Sequence, residues 1–342
     1  MTDIRRVAAV AGVSTATVSR VVNNTGPVNA KTREKVQQAI LELDYRPNKM
    51  ASSLRQKESR IVGILQTDHT THFSSLFADA AEDTLFNHGF TTIMSNTYGE
   101  RAIEKEQIEF LLDMRVGGVL LRPFKDTTHI PSVFDRLGKA NVACVLVESY
   151  PVDPLQFHTN LNNAQGGHLA ITHLLELGHR SIGVLLPFEP WHTEGPHDQR
   201  LTAVHRAVAK CPTPVDLHIK RHNTKDQVAF GYEAARSLLQ NNPQITALFG
   251  TTDLLAAGAL HAAQEMNLSV PSDLSIIGYD DSYVASSMHP RLTTVSQPID
   301  ALGEATGKLL VSIIEQPTIP PRSVSISNIL KVRDSTGPAR TI

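Results

Sequence analysis

Cysteine, aromatic residues and long apolar runs are all scarce in this chain. There are 2 cysteines and 1 tryptophan in 342 residues, and aromatics make up 5%. Cys144 sits in an apolar run and Cys211 beside prolines. They form no CxxC pair, suit a reducing compartment, and neither resembles a catalytic thiol. No apolar stretch approaches the roughly 20 residues needed to cross a bilayer, and the opening MTDIRR has no apolar segment of the export-signal kind. The expectation is a cytoplasmic protein with no membrane partner. The 15 histidines do not supply a metal site. His69/His72 and His218/His222 lack HExxH or cysteine spacing, so ordinary surface or pocket histidines are expected there. GxGxxG, GxxxxGK followed by Ser or Thr, and GxSxG are absent, as is a paired acid/base cluster. The expectation is a protein that is not an enzyme and carries no cofactor.

Strong net charge is missing too, at -2 overall, with 19% charged and 41% hydrophobic residues. That balance belongs to folded, soluble chains. It conceals an asymmetry: residues 1–60 hold 11 Lys+Arg against 5 Asp+Glu, while the remainder is acidic. A local cationic excess suits a polyanion, because Lys and Arg displace the counterions condensed on phosphates. A solvated charged face is the plainer alternative.

Within those residues, Ile4, Val7 and Ala8 follow helical spacing until Ala11-Gly12-Val13 breaks it with a small turn. Ser14 is a good N-cap for the next helix. Projected on that helix, Val18, Val21 and Val22 share one arc, and Thr15, Ala16, Ser19 and Arg20 the opposite one. This division suits a recognition helix: valines hold it to its partners, and short polar side chains plus one arginine are free for a major groove. Arg20 can offer two donors to guanine O6 and N7, while Thr15 and Ala16 can meet base edges or a thymine methyl. An amphipathic helix packed for stability alone fits the same pattern. A third helix, capped near Asn29, carries Val36, Ala39, Ile40 and Leu43 at i, i+3, i+4, i+7 and would close a three-helix core. Tyr45-Arg46-Pro47-Asn48 ends it, and residues 49–56 read as a polar, basic linker.

The runs IRRVAAVAGVSTATVSRVVN and YRPNKMASSLR resemble the DNA-binding headpiece and hinge of the lac/gal repressor family. The resemblance implies that Thr15, Ala16 and Arg20 read bases and that Ser14, Thr17, Ser19 and Asn23 help hold phosphates. It further implies that Ala51 to Arg55 fold into a hinge helix on DNA, with Leu54 wedging between base steps in the minor groove. Ser52 stands where the family often has arginine, which removes one backbone contact. On this reading residues 1–47 are the headpiece, 48–60 the hinge and linker, and 61–342 an effector-binding and dimerisation core.

From residue 61 on, short β-branched runs alternate with helical patterns: 61–65, 91–94, 117–121, 142–147, 181–186, 246–250 and 274–278. Buried parallel strands read this way, with helices such as 100–114 and 163–177 between them. The fold class is α/β: two doubly wound parallel-sheet lobes behind a small all-α headpiece. HLLELGHRSIGVL, TALFGTTDLLAAGAL, VPSDLSIIGYDD and PRLTTVSQP extend the resemblance over nearly the whole chain. It implies a core like the periplasmic sugar-binding proteins, with an N-lobe of about 61–161 plus 298–322 and a C-lobe of about 162–297 plus 323–334. The chain would cross between them near 160, 297 and 323.

Open α/β sheets bind ligands beyond the carboxyl ends of their strands. The loops there contain His72, Phe73, Glu148, Trp191, Arg200 and Asp280. Aromatic faces suit sugar rings, and Asp and Arg can each make two hydrogen bonds to neighbouring hydroxyls. Trp191 fits the rim as well as the pocket, and Asp280 a surface loop as well as the cleft. The resemblance implies that Arg200 and Asp280 grip the effector. Glu148 stands where Asp is common, Thr252 where many relatives have Asn, and Leu161 where several sensors have Asp. The effector's identity is therefore not carried over, and Leu161 suggests an apolar wall. The family habit is a sugar that releases DNA; a purine or nucleoside corepressor is the alternative. A homodimer on palindromic double-stranded operator DNA is implied, through the helix starting near Ser74 and the Leu254–Glu265 helix with the Tyr283 region. The chain stops at RDSTGPARTI without the added leucine-rich helix of tetrameric relatives, so a dimer is expected.

Overall fold

In the computed structural model, residues 3–22, 25–45, 59–68, 71–123, 128–149, 153–187, 195–222 and 226–341 are described. The chain divides into two units, Met1–Arg60 and Ile61–Ile342.

In the first unit, helices α1 (Ile4–Ala11), α2 (Thr15–Val22) and α3 (Ala30–Glu42) are each started by a short polar side chain. Asp3 accepts from the Arg6 N–H at 2.9 Å, Ser14 Oγ from Thr17 at 3.2 Å, and Asn29 Oδ1 from Thr32 at 2.7 Å. These caps satisfy amides that have no partner within the helix. Gly12, at φ 67°, stops α1 in the left-handed conformation that a Cβ would strain. Val7, Val18 and Val36, one from each helix, are fully buried at the centre with Ala8, Ala11, Val21 and Ala39 around them.

The second unit holds two six-stranded sheets. The first lobe runs β1 (Ile61–Gln66), α4 (His72–Asn87), β2 (Thr91–Asn96), α5 (Arg101–Asp113), β3 (Gly118–Leu121), α6 (Ile130–Lys139), β4 (Ala143–Val147) and β5 (His158–Leu161). The second runs α7 (Asn163–Glu176), β6 (Ser181–Pro187), α8 (Pro196–Ala209), β7 (Asp216–His222), α9 (Gln227–Asn241), β8 (Ala247–Gly250), α10 (Asp253–Glu265), β9 (Ser275–Asp280), α11 (Tyr283–Ser287) and β10 (Thr293–Ser296). The chain then returns through α12 (Ile299–Glu315) and β11 (Ser323–Ile326) and ends its strands with β12 (Ile329–Lys331). Strand order is β11-β5-β4-β3-β1-β2 in one sheet and β12-β10-β9-β8-β6-β7 in the other. All pairs are parallel except β10 with β12. Central strands such as β3 and β8 are buried along their length, as helices on both faces require, whereas the edge strands β2 and β7 are partly exposed and polar.

One expectation needs correcting. The family resemblance places residues 323–326 in the C-lobe, but Ser323–Ile326 runs parallel to His158–Leu161 in the first sheet. The open edge of β5 takes a partner before the chain leaves, so the third crossing falls after Ile326. The other two follow β5 and β10, and the three carry the chain between lobes whose facing loops enclose a cleft.

Candidate nucleic-acid interface and inter-lobe cleft

On α2, Val18 and Val21 turn inward, which leaves Thr15, Ala16 and Arg20 exposed together. Ser14 is exposed beside them, and Thr17 and Ser19 are half-buried. The Ser14 and Thr17 hydroxyls lie 2.9 Å apart, so both belong to the helix cap as well as to the surface. Arg5, Arg6 and Lys31 are exposed elsewhere on the unit. A helix with a buried valine stripe and an opposite face of two short side chains and an arginine can enter a major groove closely. Asn23, Ala51 and Leu54, and most of the 48–60 segment, lie outside the described residues.

In the second unit a cleft of ≈ 650 Å³ opens between the lobes, a size typical of small-molecule sites. His72, Phe73 and Glu148 line it from the first lobe and Arg200 and Asp280 from the second. These residues are far apart in sequence and meet because β1, β4, β6 and β9 all end at this edge of their sheets. Thr71 caps α4, accepting from the Ser74 N–H at 3.2 Å, and so sets His72 and Phe73 on the first turn. Trp191 lies outside the described residues.

Arg200 is held from several sides while only 4% exposed. Its Nε donates to Asn163 Oδ1 at 3.0 Å, its Nη1 to the Thr251 carbonyl at 2.6 Å, and its guanidinium lies 3.6 Å over the Tyr279 ring. Asp280 stands 3.9 Å from Arg200 Nη1 and accepts from Gln297 Nε2 at 2.5 Å. Its φ of 109° is unusual for a residue with a side chain and marks a tight, over-determined turn at the end of β9. Glu148, also at positive φ, turns its carboxylate back into the protein, accepting from the Leu161 N–H at 2.5 Å and Asn163 Nδ2 at 3.1 Å.

Burial dominates the electrostatics of these acids, because a carboxylate withdrawn from water favours its neutral form. It pushes Asp280 up to about 8 against the pull of Arg200, with the neighbouring Asp253 adding to the rise. Asp253, buried behind the cleft and bonded by Thr294 and Ser282, is pushed up to about 6 for the same first reason. Burial also raises Glu148, opposed by its Leu161 hydrogen bond, Arg122 and Asn163. The cleft thus presents a fixed cation, acids whose burial favours the neutral form, and aromatic surface, a set that can bind hydroxyl-rich ligands. Among the described residues no group of His, Cys, Asp or Glu is arranged to hold a metal.

Sequence reasoning overlooked Arg122 and Gln297, which also line the cleft. Arg122 directly follows β3, so the rule about strand ends contained the signal. Gln297 sits on a crossing segment, which no local pattern marks. Leu161, expected as an apolar wall, instead packs in the first-lobe core at 1% exposure and offers its backbone N–H to Glu148. Thr252 lines the cleft while capping α10, accepting from the Leu255 N–H at 3.3 Å and donating to Gln227 Oε1 at 2.6 Å.

Comparison with known proteins gives two family matches: bacterial regulatory proteins of the lacI family over residues 3–48, and a periplasmic binding protein-like domain over residues 171–336. The ribose operon repressor of Escherichia coli (strain K12) is 33% identical, with 98% of this chain and 100% of that protein covered. The HTH-type transcriptional repressor PurR of Escherichia coli O1:K1 / APEC is 32% identical, with 99% of each chain covered. The structure of the Lac repressor dimer bound to operator and the anti-inducer ONPF superposes with a TM-score of 0.85 at 27% identity, covering 98% of this chain and 99% of that one.

Proposed function

The chain belongs to the lacI family of bacterial regulatory proteins, and on that premise we propose that it is a sequence-specific DNA-binding repressor whose operator affinity is set by a small molecule held in the inter-lobe cleft. The observation that carries this reading is the division of labour along the chain. A basic three-helix unit exposes Thr15, Ala16 and Arg20, and a separate two-lobed unit closes a polar cleft around Arg200 and Asp280.

The chain acts as a homodimer in the cytoplasm. One headpiece makes few contacts, and two tied together gain effective concentration on a palindromic site. Leu254 at 40% and Tyr283 at 73% exposure, which also line the cleft, leave apolar surface on the second lobe that such a pairing would cover. The effector is a hydroxyl-rich ligand, and it acts by binding one lobe arrangement better than another, since a ligand shifts an equilibrium only by its differential affinity. Release of DNA is the direction we propose. Its relatives are transcription repressors, and we assign no catalytic step to the chain.

The test is selection of bound duplexes from a random library with the full-length protein, followed by titration of the selected duplex in the presence of monosaccharides, nucleosides and purine bases. A palindromic consensus, and weaker binding with a sugar, are the expected results. Tighter binding with a purine would instead make the ligand a corepressor, and a library without enrichment would refute the DNA-binding assignment.

A further inference from the structure

Arg200 and Asp280 are each bonded to a segment on which the chain crosses between lobes. Asp280 accepts from Gln297 on the second crossing, and Arg200 Nε donates to Asn163 beside the first. The third crossing is reached by a longer route. The Arg200 guanidinium lies over the Tyr279 ring, and the hydroxyl on that ring accepts from Asn328 Nδ2 at 3.2 Å. Asn328 stands between β11 and β12, on the third crossing itself, and both it and Tyr279 are buried.

Asn328 is tied to the first crossing as well. The same Nδ2 donates to the Asn162 carbonyl at 2.7 Å. The side chain of Gln165 brackets the Asn328 backbone, accepting from its N–H at 2.8 Å and donating to its carbonyl at 3.1 Å. The Asn162 N–H donates in turn to the Ile326 carbonyl at 2.8 Å. The first and third crossings are therefore one hydrogen-bonded piece, and Tyr279 attaches it to the ring beneath Arg200. The packing there is tight: a Cβ on Gly166 would collide with the Tyr279 hydroxyl and stand 2.9 Å from Asn328 Nδ2. The bonding is nonetheless one-sided. Asn328 Nδ2 has two acceptors while the buried Oδ1 has no partner among the described residues, and an unmet buried acceptor costs free energy that a different placement of the crossing can recover.

We propose that Tyr279 and Asn328 form a latch that holds the lobes in the arrangement observed, with Asn328 a positioning residue that passes the state of Arg200 to the first and third crossings. An effector that draws on the Arg200 guanidinium shifts the ring stacked beneath it. The bond from that ring to Asn328 is either made or broken, which gives the hinge two states instead of a continuous range. A ligand that prefers one arrangement works with or against this bond, so the latch sets the balance between the arrangements that operator and effector each select. The role given to Arg200 rests on the cleft being the effector site.

The test uses the full-length protein and its variants Tyr279→Phe, Asn328→Ala and the two combined, without any small molecule. Tyr279→Phe keeps the ring under Arg200 and deletes only the hydroxyl. Affinity is measured for the duplex that the parent selects from a random library and for an unselected duplex, with melting curves verifying that each variant is folded. Both single variants should change the Kd for the selected duplex about five-fold or more, in the same direction, and leave the unselected duplex within about two-fold, because only the selected site requires two headpieces at the spacing that the lobes set. The double variant should match Asn328→Ala, since the Tyr279 hydroxyl has then already lost its partner on the crossing. Amide exchange at positions 162 and 328 should quicken about three-fold or more in each variant, against unchanged exchange in β8. Unchanged affinity for the selected duplex in both single variants, or unchanged exchange at the crossings, overturns the latch. So do equal changes on both duplexes, which would mean general damage to the fold, and additive effects in the double variant, which would mean that the two residues act apart. Release of DNA by a monosaccharide, nucleoside or purine base that persists in Arg200→Met would refute the cleft reading and the role of Arg200, and leave the latch, measured without ligand, standing.

Discussion

Replacing Gly167 by alanine would show how the second lobe holds Arg200. Gly167 lies on α7, which packs against α8, and a Cβ there would stand 2.4 Å from the Arg200 carbonyl oxygen and 2.7 Å from its Cα. These are backbone atoms of a helix, with no flexible end that could turn aside. Since comfortable contact between non-bonded heavy atoms begins near about 3.5 Å, α8 must retreat by about 1 Å. Overpacking of this kind costs about 1–3 kcal/mol, which in a unit of this size lowers the melting temperature by about 2–6 °C. The consequence for the cleft is larger. Arg200 Nη1 is 2.6 Å from the Thr251 carbonyl and its Nε 3.0 Å from Asn163, so a displacement of that size breaks or tilts the bonds that aim the guanidinium. A hydrogen bond to a charged group contributes about 1.5–3 kcal/mol, equivalent to about 10- to 100-fold in Kd. Effector affinity should therefore fall by about that factor, and operator release should need correspondingly more ligand. Calorimetric titration with a ligand that the parent protein binds, together with scanning calorimetry, measures both effects. A lowered melting temperature with undiminished ligand affinity would refute the idea that the α7–α8 contact positions Arg200.

Arg20→Ala should cost about 1–3 kcal/mol on the selected operator and relax preference at one base pair, whereas Lys31→Ala should weaken all DNA alike. Equal losses on operator and random duplex for the arginine variant would remove it from base reading. Val18→Ala, at a fully buried position of the small headpiece core, should destabilise that unit by about 1.5–2.5 kcal/mol, lowering affinity for every duplex in mobility-shift titrations while ligand binding persists; unchanged DNA affinity would show that the headpiece has stability to spare. Asp280 keeps its proton up to about 8 in the folded chain, against an ordinary value of 3.8. Between those values the native state holds a proton that the unfolded state has lost, so this group lowers stability as pH rises. Asp280→Asn should remove that slope, its melting temperature gaining on the parent's between about pH 5 and pH 8. A difference independent of pH would mean that the carboxyl titrates normally.

Much of the architecture was legible because a central parallel strand must be apolar on both faces. The runs at 61–65, 117–121, 142–147, 181–186, 246–250 and 274–278 all became strands of the two sheets. Strands built from polar residues escaped that pattern. β5 reads His-Thr-Asn-Leu and is buried along its length; Thr159 bonds to Thr306 of α12 at 2.7 Å. β10 reads Thr-Thr-Val-Ser, with Thr294 donating to the buried Asp253 at 2.6 Å. A buried hydroxyl is stable once it has a partner, and a partner 41 or 147 residues away leaves no local periodicity to read.

By itself the sequence determined local features: which apolar runs form strands and which periodic segments form helices, where Ser14 and Asn29 start α2 and α3, and which arc of α2 is left exposed. These follow from backbone geometry and the period of apolar side chains, both of which act over a few residues. Only the tertiary structure decided that His72, Phe73, Arg122, Glu148, Arg200 and Asp280 share one cleft, that Leu161 faces the core, and that β11 belongs to the first sheet. It also decided the charge of that cleft, because the ionisation of Glu148 and Asp280 is set by burial and by which cations close around them, quantities that exist only once the chain has folded.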